Sequence, residues 1–519
     1  MPSPTDPSEW IDDVARTDPQ RTFLSTPDGR RLSYADLERM SGAWGSALRR
    51  LGIAAGDRVA VQVDKSPESV LLYVTCLRIG AVYVPINTAN PASEVDYFLR
   101  DAAPRVVVVR PVDEPRLAPV AAAAGVAQLR TLGADGDGSL AELVRECNGD
   151  PGVRPWLDAS ALAAIIYTSG TTGRSKGAML TRGNLASNAS ALAAAWRFRA
   201  DDVLLHALPL FHVHGLFAAI NTVLASGSGL LLLAGFDAAQ VLQHFPAVTV
   251  VMGVPTYYTR LLRLPGLDRQ STAGIRLFVS GSAPLLAETH REFEQRTGQV
   301  ILERYGMTET LMITSNPYEG PRRPGFVGQP LPGIEVRLVA ESAGAGTADS
   351  AVAVIGAPDQ VGAIEVRGPN VCAGYWHDEH KTRSEFRANG WFRSGDLGRF
   401  DRDGSLQIVG RAKDLVITGG YNVYPKEVEE AIDALPGVLE SAVIGITHAD
   451  FGEGVTAIVV ARPGATLTEA DIVSGIQARL ARYKVPKRVL VVAGLPRNAM
   501  GKVQKNLLRQ QYASLYGPP

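Results

Sequence analysis

The stretch "DRVAVQVDKSPESVLLYVTCLRIGAVYVPIN", residues 57–87, decides the fold class. Its opening, "DRVAVQV" (57–63), is an apolar run rich in valine and reads as a buried strand. Ser66 and Pro67 then mark a helix start. A serine hydroxyl can accept from the free N–H groups of the first turn, and proline at the first helical position has no N–H to leave unpaired. "ESVLLYVTCLRIG" continues with helical spacing and stops at Gly80, and "AVYVPIN" (81–87) is the next strand. Strand, helix and strand in this order make a βαβ unit, with parallel strands and a right-handed crossover.

Working outward, further strands are predicted at "RVVVV" (105–109), "ALAAIIY" (161–167), "GLLLLA" (229–234), "VTVVMG" (248–253) and "IRLFVS" (275–280). Runs apolar on both faces belong to sheets covered by helices. "ESAGAGTADSAVAVIGAPDQ" (341–360) has little periodicity and reads as an exposed loop or hairpin excursion. Beyond it, "AIEVRG" (363–368) and "RFDRDGSLQIVG" (399–410), with its Asp403-Gly404 turn, suggest antiparallel hairpins. From Asp414 a compact tail begins. It has a helix from Pro425, strands at "SAVIGI" and "VTAIVVA", a helix over 468–482 and a strand at "RVLVVA" (488–493). The expectation is an α/β protein in two parts. Residues 1–412 form a large domain of layered α/β sheets with a β-barrel-like subdomain, and 413–519 form a small, mobile α+β domain.

Composition narrows the class. Hydrophobic residues make up 46% of the chain, as in a folded globular protein. A formal net charge of −1 argues against a nucleic-acid partner. Cys76, Cys147 and Cys372 are too dispersed for a disulfide framework or a zinc site and fit a reducing compartment. The start "MPSPTDPSEW" lacks the basic and apolar regions of a signal peptide. No apolar run reaches the ~20 residues of a membrane span. The expectation is a soluble cytoplasmic protein.

After the strand at 161–167 comes "YTSGTTGRSKGAML" (167–180). Gly170 and Gly173 allow backbone N–H groups to converge on one point, while Thr168, Ser169, Thr171 and Thr172 add hydroxyl donors. Arg174 and Lys176 add charge. Such a loop suits phosphate, although a plain glycine-rich turn has the same outline. It is not a Walker A loop, because T-T-G-R-S-K-G after Gly170 does not fit G-x-x-x-x-G-K-[ST]. A helix is predicted from Thr181, with Leu185, Ala189, Leu192, Ala193 and Trp196 on one stripe.

This loop resembles the signature of the adenylate-forming superfamily: acyl-CoA synthetases, luciferases and peptide-synthetase adenylation domains. The resemblance continues in order through "LPLFHVHGL" (208–216), "SGSAPL" (280–285), "ERYGMTET" (303–310), "RSGDLG" (393–398), "GRAKDLVITGGYNVYP" (410–425) and "PRNAMGKVQK" (496–505). Within the superfamily the chain is most similar to malonyl-CoA synthetases.

The resemblance implies a two-step reaction. A carboxylate attacks the α-phosphate of ATP, and a thiol, coenzyme A, then displaces AMP from the acyl-adenylate. It implies that Thr168, Ser169, Gly170, Thr171, Thr172, Gly173 and Lys176 cradle phosphates, and that Thr168 and Glu309 hold Mg²⁺. Tyr305 would stack on adenine, with Ser282, Ala283, Gly306 and Thr308 lining the same cleft. Asp396 would accept from the ribose and Arg411 would support the nucleotide, although an aspartate in a Gly-flanked segment also reads as a turn former. Lys502 would bridge the attacking carboxylate and the α-phosphate, where an isolated lysine would be read as a surface residue. Lys413 would be a hinge, and Gly419, Gly420 and Tyr421 would line the coenzyme A tunnel.

For a small dicarboxylic acid the second carboxylate needs a cation. Arg260 is the resemblance's candidate, with Ser282 as partner, Met307 as a wall and His212 closing the pocket. His214 and Arg291 are weaker candidates. Arg260 in "TRLLRL" also fits a helix arginine paired with a nearby acid. Lys502 lies in a P-x-x-x-x-G-K context, which by resemblance makes it a target for a protein acetyltransferase.

Overall fold

The structure is a computed structural model and describes residues 6–147, 155–168, 175–340, 353–498 and 500–517. The βαβ unit is present as predicted. Strand Arg58–Gln62 leads to helix Pro67–Ile79 and then to strand Val82–Pro85, and the two strands pair in parallel. Ser66 caps the helix in a reciprocal box with Ser69, and Gly80 ends it with φ +77°. Every residue of this helix after Pro67 is buried. It can be apolar all round because it lies between two sheets: its side chains share one core with Val59 and Val106 of one sheet and Leu204 and Leu230 of another.

The first sheet has six strands. Gln128–Thr131, Val106–Val109, Arg58–Gln62, Val82–Pro85 and Leu162–Thr168 run parallel, and Lys176–Thr181 closes the edge antiparallel. The second is a path of 13 strands. Its parallel part runs from Leu302–Met307 through Leu277–Ser280, Val250–Gly253, Val203–His206 and Gly229–Leu232 to Thr22–Ser25. Its other end is antiparallel and includes the hairpin Phe392–Phe400 with Leu406–Arg411. The third sheet has five strands, all from Val416 onward, and carries its own core with helices Pro425–Asp433 and Glu469–Ile476. No helix among the described residues is long and apolar enough to cross a membrane.

Three elements differ from the sequence reading. "KGAMLT" is a strand, not the start of a loop-to-helix connection, and it pairs antiparallel with the strand Leu162–Thr168 that precedes the glycine-rich stretch. The following helix, Arg182–Ala195, does begin at a capping box on Thr181. The helix expected over 468–482 ends at Ile476, after which Arg479 and Leu480 bond back to Ile476 in tight turns. The segment 214–221 winds as a π-helix, which no local signal announced. Of the predicted excursion at 341–360, residues 341–352 lie outside the described residues, and Val354 bridges to Val339.

Candidate active site

Asp396 lies inside the strand Phe392–Phe400, directly across the hairpin from Arg411, and is 4% exposed. It is therefore not a turn former. Arg411 Nε lies 3.0 Å from Asp396 Oδ1, and Tyr305 Oη donates to Oδ2 at 2.6 Å. Both oxygens are thus held from different elements, and the cross-strand register fixes the ion pair. Burial and the Asp396 charge push the Tyr305 hydroxyl well above its usual range, and Asp396 raises Arg411 further.

Lys502 reaches this corner from the far end of the chain. Arg497 and Val503 bridge across a tight turn in which the Asn498 side chain accepts from the backbone N–H of both Met500 and Lys502, each at 3.0 Å. Met500 is buried and belongs to the large domain's core, so the turn is plugged into that domain. A Cβ at Gly501 would stand 3.0 Å from Thr256 on the helix Pro255–Leu261. Burial and the charge of Arg411 push the Lys502 ammonium down to about 8, with Asp396 opposing the shift.

Glu309 is 8% exposed, and its Oε1 accepts from Tyr375 Oη at 3.1 Å. Burial raises its carboxyl above the usual range. Thr168 ends its strand opposite Lys176, which begins the next. Burial and Lys381 lower the Lys176 ammonium. Ser169, Gly170, Thr171, Thr172 and Gly173 lie outside the described residues. No group of three or more acidic, histidine or cysteine side chains that could hold a metal occurs among the described residues.

The acyl side of the cleft is built by the turn after Leu277–Ser280. Ser282 has φ +72°, a strained conformation for a residue with a side chain, and its Oγ lies 3.2 Å from His214 Nδ1. The predicted Ser282 partner, Arg260, is exposed near the C-terminal end of helix Pro255–Leu261. It is four residues after Thr256 and so shares the helix face that meets the Lys502 turn. His212 Nδ1 accepts the His214 backbone N–H at 3.2 Å, which leaves the proton of the neutral ring on Nε2. Burial, Arg304 and Lys502 push the His212 ring down to about 4, so it is neutral at pH 7. Ala283, Gly306, Met307 and Thr308 are part-buried along the same two segments. Arg291 is exposed on helix Ala287–Thr297 and makes no described hydrogen bond to these residues.

Lys413 is exposed in the single turn Ala412–Asp414 that links the hairpin bearing Arg411 to the third sheet. Gly419 and Gly420, with φ +56° and +82°, form the two-residue turn between Val416–Thr418 and Tyr421–Val423. Both central residues at positive φ make a type I′ turn, which is why two glycines stand there. Tyr421 is 58% exposed and stacks on Tyr483 at 4.6 Å. The small C-terminal unit thus presents Lys502 to the cleft and holds this turn outside it.

The sequence reading missed two residues of the site. Tyr375, the donor to Glu309, stands in a loop with no signal of its own. Arg304, beside the adenine candidate Tyr305, is buried against the acyl side.

The family described as "AMP-binding enzyme" matches residues 11–376, and that described as "AMP-binding enzyme C-terminal domain" matches 427–502. The mouse mitochondrial malonate–CoA ligase is 38% identical over 84% of this chain and 78% of its own. The ATP-bound MatB structure from Rhodopseudomonas palustris is 49% identical and superposes with a TM-score of 0.93 over 98% of this chain and 99% of that one. The apo MatB structure from the same organism, also 49% identical, gives 0.84 over 99% of each. The ATP-bound form thus superposes on this chain more fully than the apo form. The chain belongs to the AMP-binding enzyme family, in both its large and its C-terminal domain.

Proposed function

We propose that this protein is an AMP-forming acid–thiol ligase that activates malonate, or its methyl homologue, and transfers it to coenzyme A. The observation that carries this is the meeting of Lys502 with Asp396, Arg411 and Tyr305 in one cleft. In the first step a carboxylate oxygen bonds to the α-phosphorus of ATP, and the bond to pyrophosphate breaks. Two anions approach, so the ammonium of Lys502 opposes the charge that builds between them. Asp396 accepts from the ribose hydroxyls, Tyr305 offers its ring to adenine, and Arg411 holds Asp396 in place. The loop from Thr168 to Lys176 holds pyrophosphate as a leaving group. In the second step the thiol bonds to the acyl carbonyl carbon and AMP leaves.

Mg²⁺ fits the donors present. Glu309 is a buried carboxylate with the neutral Tyr375 hydroxyl on one oxygen and no salt bridge among the described residues, and Thr168 adds a hydroxyl oxygen. Hard oxygen ligands and too few of them for an all-protein cage suit an ion shared with phosphate. When bound, Mg²⁺ supplies charge neutralisation at the phosphate oxygens. The similarity to malonate–CoA ligases supports malonate as the acid, with Arg260 and Ser282 meeting its second carboxylate at the mouth of the pocket.

For the second step the C-terminal domain, 413–519, turns about Lys413. Lys502 leaves and the turn Gly419–Gly420–Tyr421 enters to line the tunnel for coenzyme A. A cytoplasmic location and a protein acetyltransferase that neutralises Lys502 complete the proposal. The deciding experiment measures pyrophosphate release with a panel of mono- and dicarboxylic acids, and thioester formation with coenzyme A or a carrier protein as acceptor. Malonate with coenzyme A is the expected optimum. A monocarboxylic or aromatic optimum, or strict need for a carrier protein, defeats the proposal.

A further inference from the structure

Lys502 lies in the C-terminal domain, so its turn must be held against the large domain for its ammonium to reach the cleft. Part of that hold is uncharged. Met500 joins the core of the large domain, and Gly501 stands against Thr256. A charged contact also crosses the boundary: Arg462, in the C-terminal domain, makes an ion pair with Glu288, in the large one.

Both ends of this pair are tied to parts of the site. Glu288 stands in the first turn of helix Ala287–Thr297, where a negative charge is favoured. That helix follows the turn that carries Ser282 and Ala283. Arg462 directly follows the strand Gly452–Ala461, and its backbone N–H donates to Gly437 O at 2.8 Å. At this end of the third sheet Val438 pairs with Ala461 and Glu440 with Val460. Glu440 forms an ion pair with Arg497, and Arg497 bridges to Val503 across the Lys502 turn. Glu288, Arg462, the paired strand ends, Glu440 and Arg497 are therefore one contiguous series, from the acyl-side helix to the lysine.

Resting on the proposal that the C-terminal domain turns between the two steps, we infer that Glu288 and Arg462 are positioning residues for adenylation. Their ion pair holds the Lys502 turn in the cleft and breaks when the domain turns. The pair need not be strong to do this. The side chains of Arg462 and Glu288 are 37% and 53% exposed, and an exposed pair shifts an equilibrium by about twofold to fivefold. A contact of that size tilts a two-state equilibrium without locking it, as a movement that reverses in every turnover requires. The favourable place of Glu288 on its helix is the same in both arrangements, whereas the pair exists in one.

The test compares Arg462→Gln, Glu288→Gln, Arg462→Glu and the exchange of Glu288→Arg with Arg462→Glu in one chain. Adenylation is followed by acid-dependent pyrophosphate exchange. The second step is followed by thioester formation from supplied acyl-adenylate and coenzyme A. At low salt either neutral variant should slow adenylation about twofold to fivefold and leave the thioester step equal or faster. Arg462→Glu sets two anions against each other and should slow adenylation further. The exchange should restore most of the wild-type ratio of the two rates. Toward about 1 M salt, where the screening length falls to about 3 Å, variants and wild type should converge. If wild type forms malonyl-adenylate and the single variants keep its ratio at low salt, the positioning role is overturned and the proposed function stands. If the ratio shifts and the exchange restores it, but with an acid other than malonate, the positioning role stands and malonate falls. Equal slowing of both steps, unrelieved by the exchange and with a lower melting temperature, makes the pair structural and overturns the inference.

Discussion

Two corners of one cleft handle charge in opposite ways. On the nucleotide side, Asp396 has Arg411 on one oxygen and Tyr305 on the other, and the hairpin register holds the set. On the acyl side, Arg304, His214 and Ser280 are buried with polar atoms unmet. The first corner is complete before any ligand arrives. Preorganised groups of this kind serve a step common to every substrate, because they need no rearrangement when charge develops. The second corner leaves these atoms without a partner among the described residues. The paired corner is thus the part of the cleft on which the proposed nucleotide step rests.

The strongest way to break this division is Lys502→Ala. Removing one preorganised cation costs on the order of 10²–10³ in rate. Adenylate formation should fall by at least that factor with every acid of a panel, while thioester formation from supplied acyl-adenylate is largely kept. Equal loss of both steps, or a loss confined to dicarboxylic acids, would remove Lys502 from the shared machinery. Asp396→Asn comes next. It leaves Arg411 without its counter-ion and weakens a charged hydrogen bond worth about 1.5–3 kcal/mol, roughly tenfold to a hundredfold in KM for ATP. The ranking of acids should not change. A changed ranking would mean that the two corners are not separate.

Much of this was legible in the sequence. The βαβ unit at 57–87 could be read to within two residues because cap, stop and periodicity agree locally. Asp396 and Lys502 were legible only as parts of a longer ordered pattern, since neither position carries a local signal. "KGAMLT" was not read as a strand because its glycine and lysine suit a loop; it becomes one through pairing with Leu162–Thr168. Leu302–Met307 and Leu311–Ser315 were likewise read as a motif and not as a hairpin, because the charges of "ERYGMTE" conceal the pattern of burial. Arg304 was passed over for the same reason. That an arginine lacks a counter-ion is a fact about distant chain segments that fail to supply one.

Lys413→Pro tests how the paired corner is dismantled between steps. Lys413 lies two residues after Arg411, in the one turn that joins the hairpin to the third sheet. Proline fixes φ and so limits the rotation that must carry Lys502 out. The thioester step should slow by about tenfold, while adenylation changes by less than about threefold. An unchanged ratio of the two rates in single-turnover measurements would place the pivot elsewhere.

The smallest effect is the pH dependence of Lys502. In the free enzyme, burial and Arg411 hold its ammonium down at about 8 while Asp396 opposes them. The charged form does the work, so kcat/KM for adenylation should be level below this value and fall above it, with a loss of about twofold at pH 8. Bound anions favour the ammonium, so the limb in kcat should lie at higher pH. Asp396→Asn removes the group that holds the lysine up and should move the kcat/KM limb to lower pH. An alkaline limb that stays in place in that variant would show that Lys502 does not feel the nucleotide corner, and the paired side of the cleft would then end at Arg411.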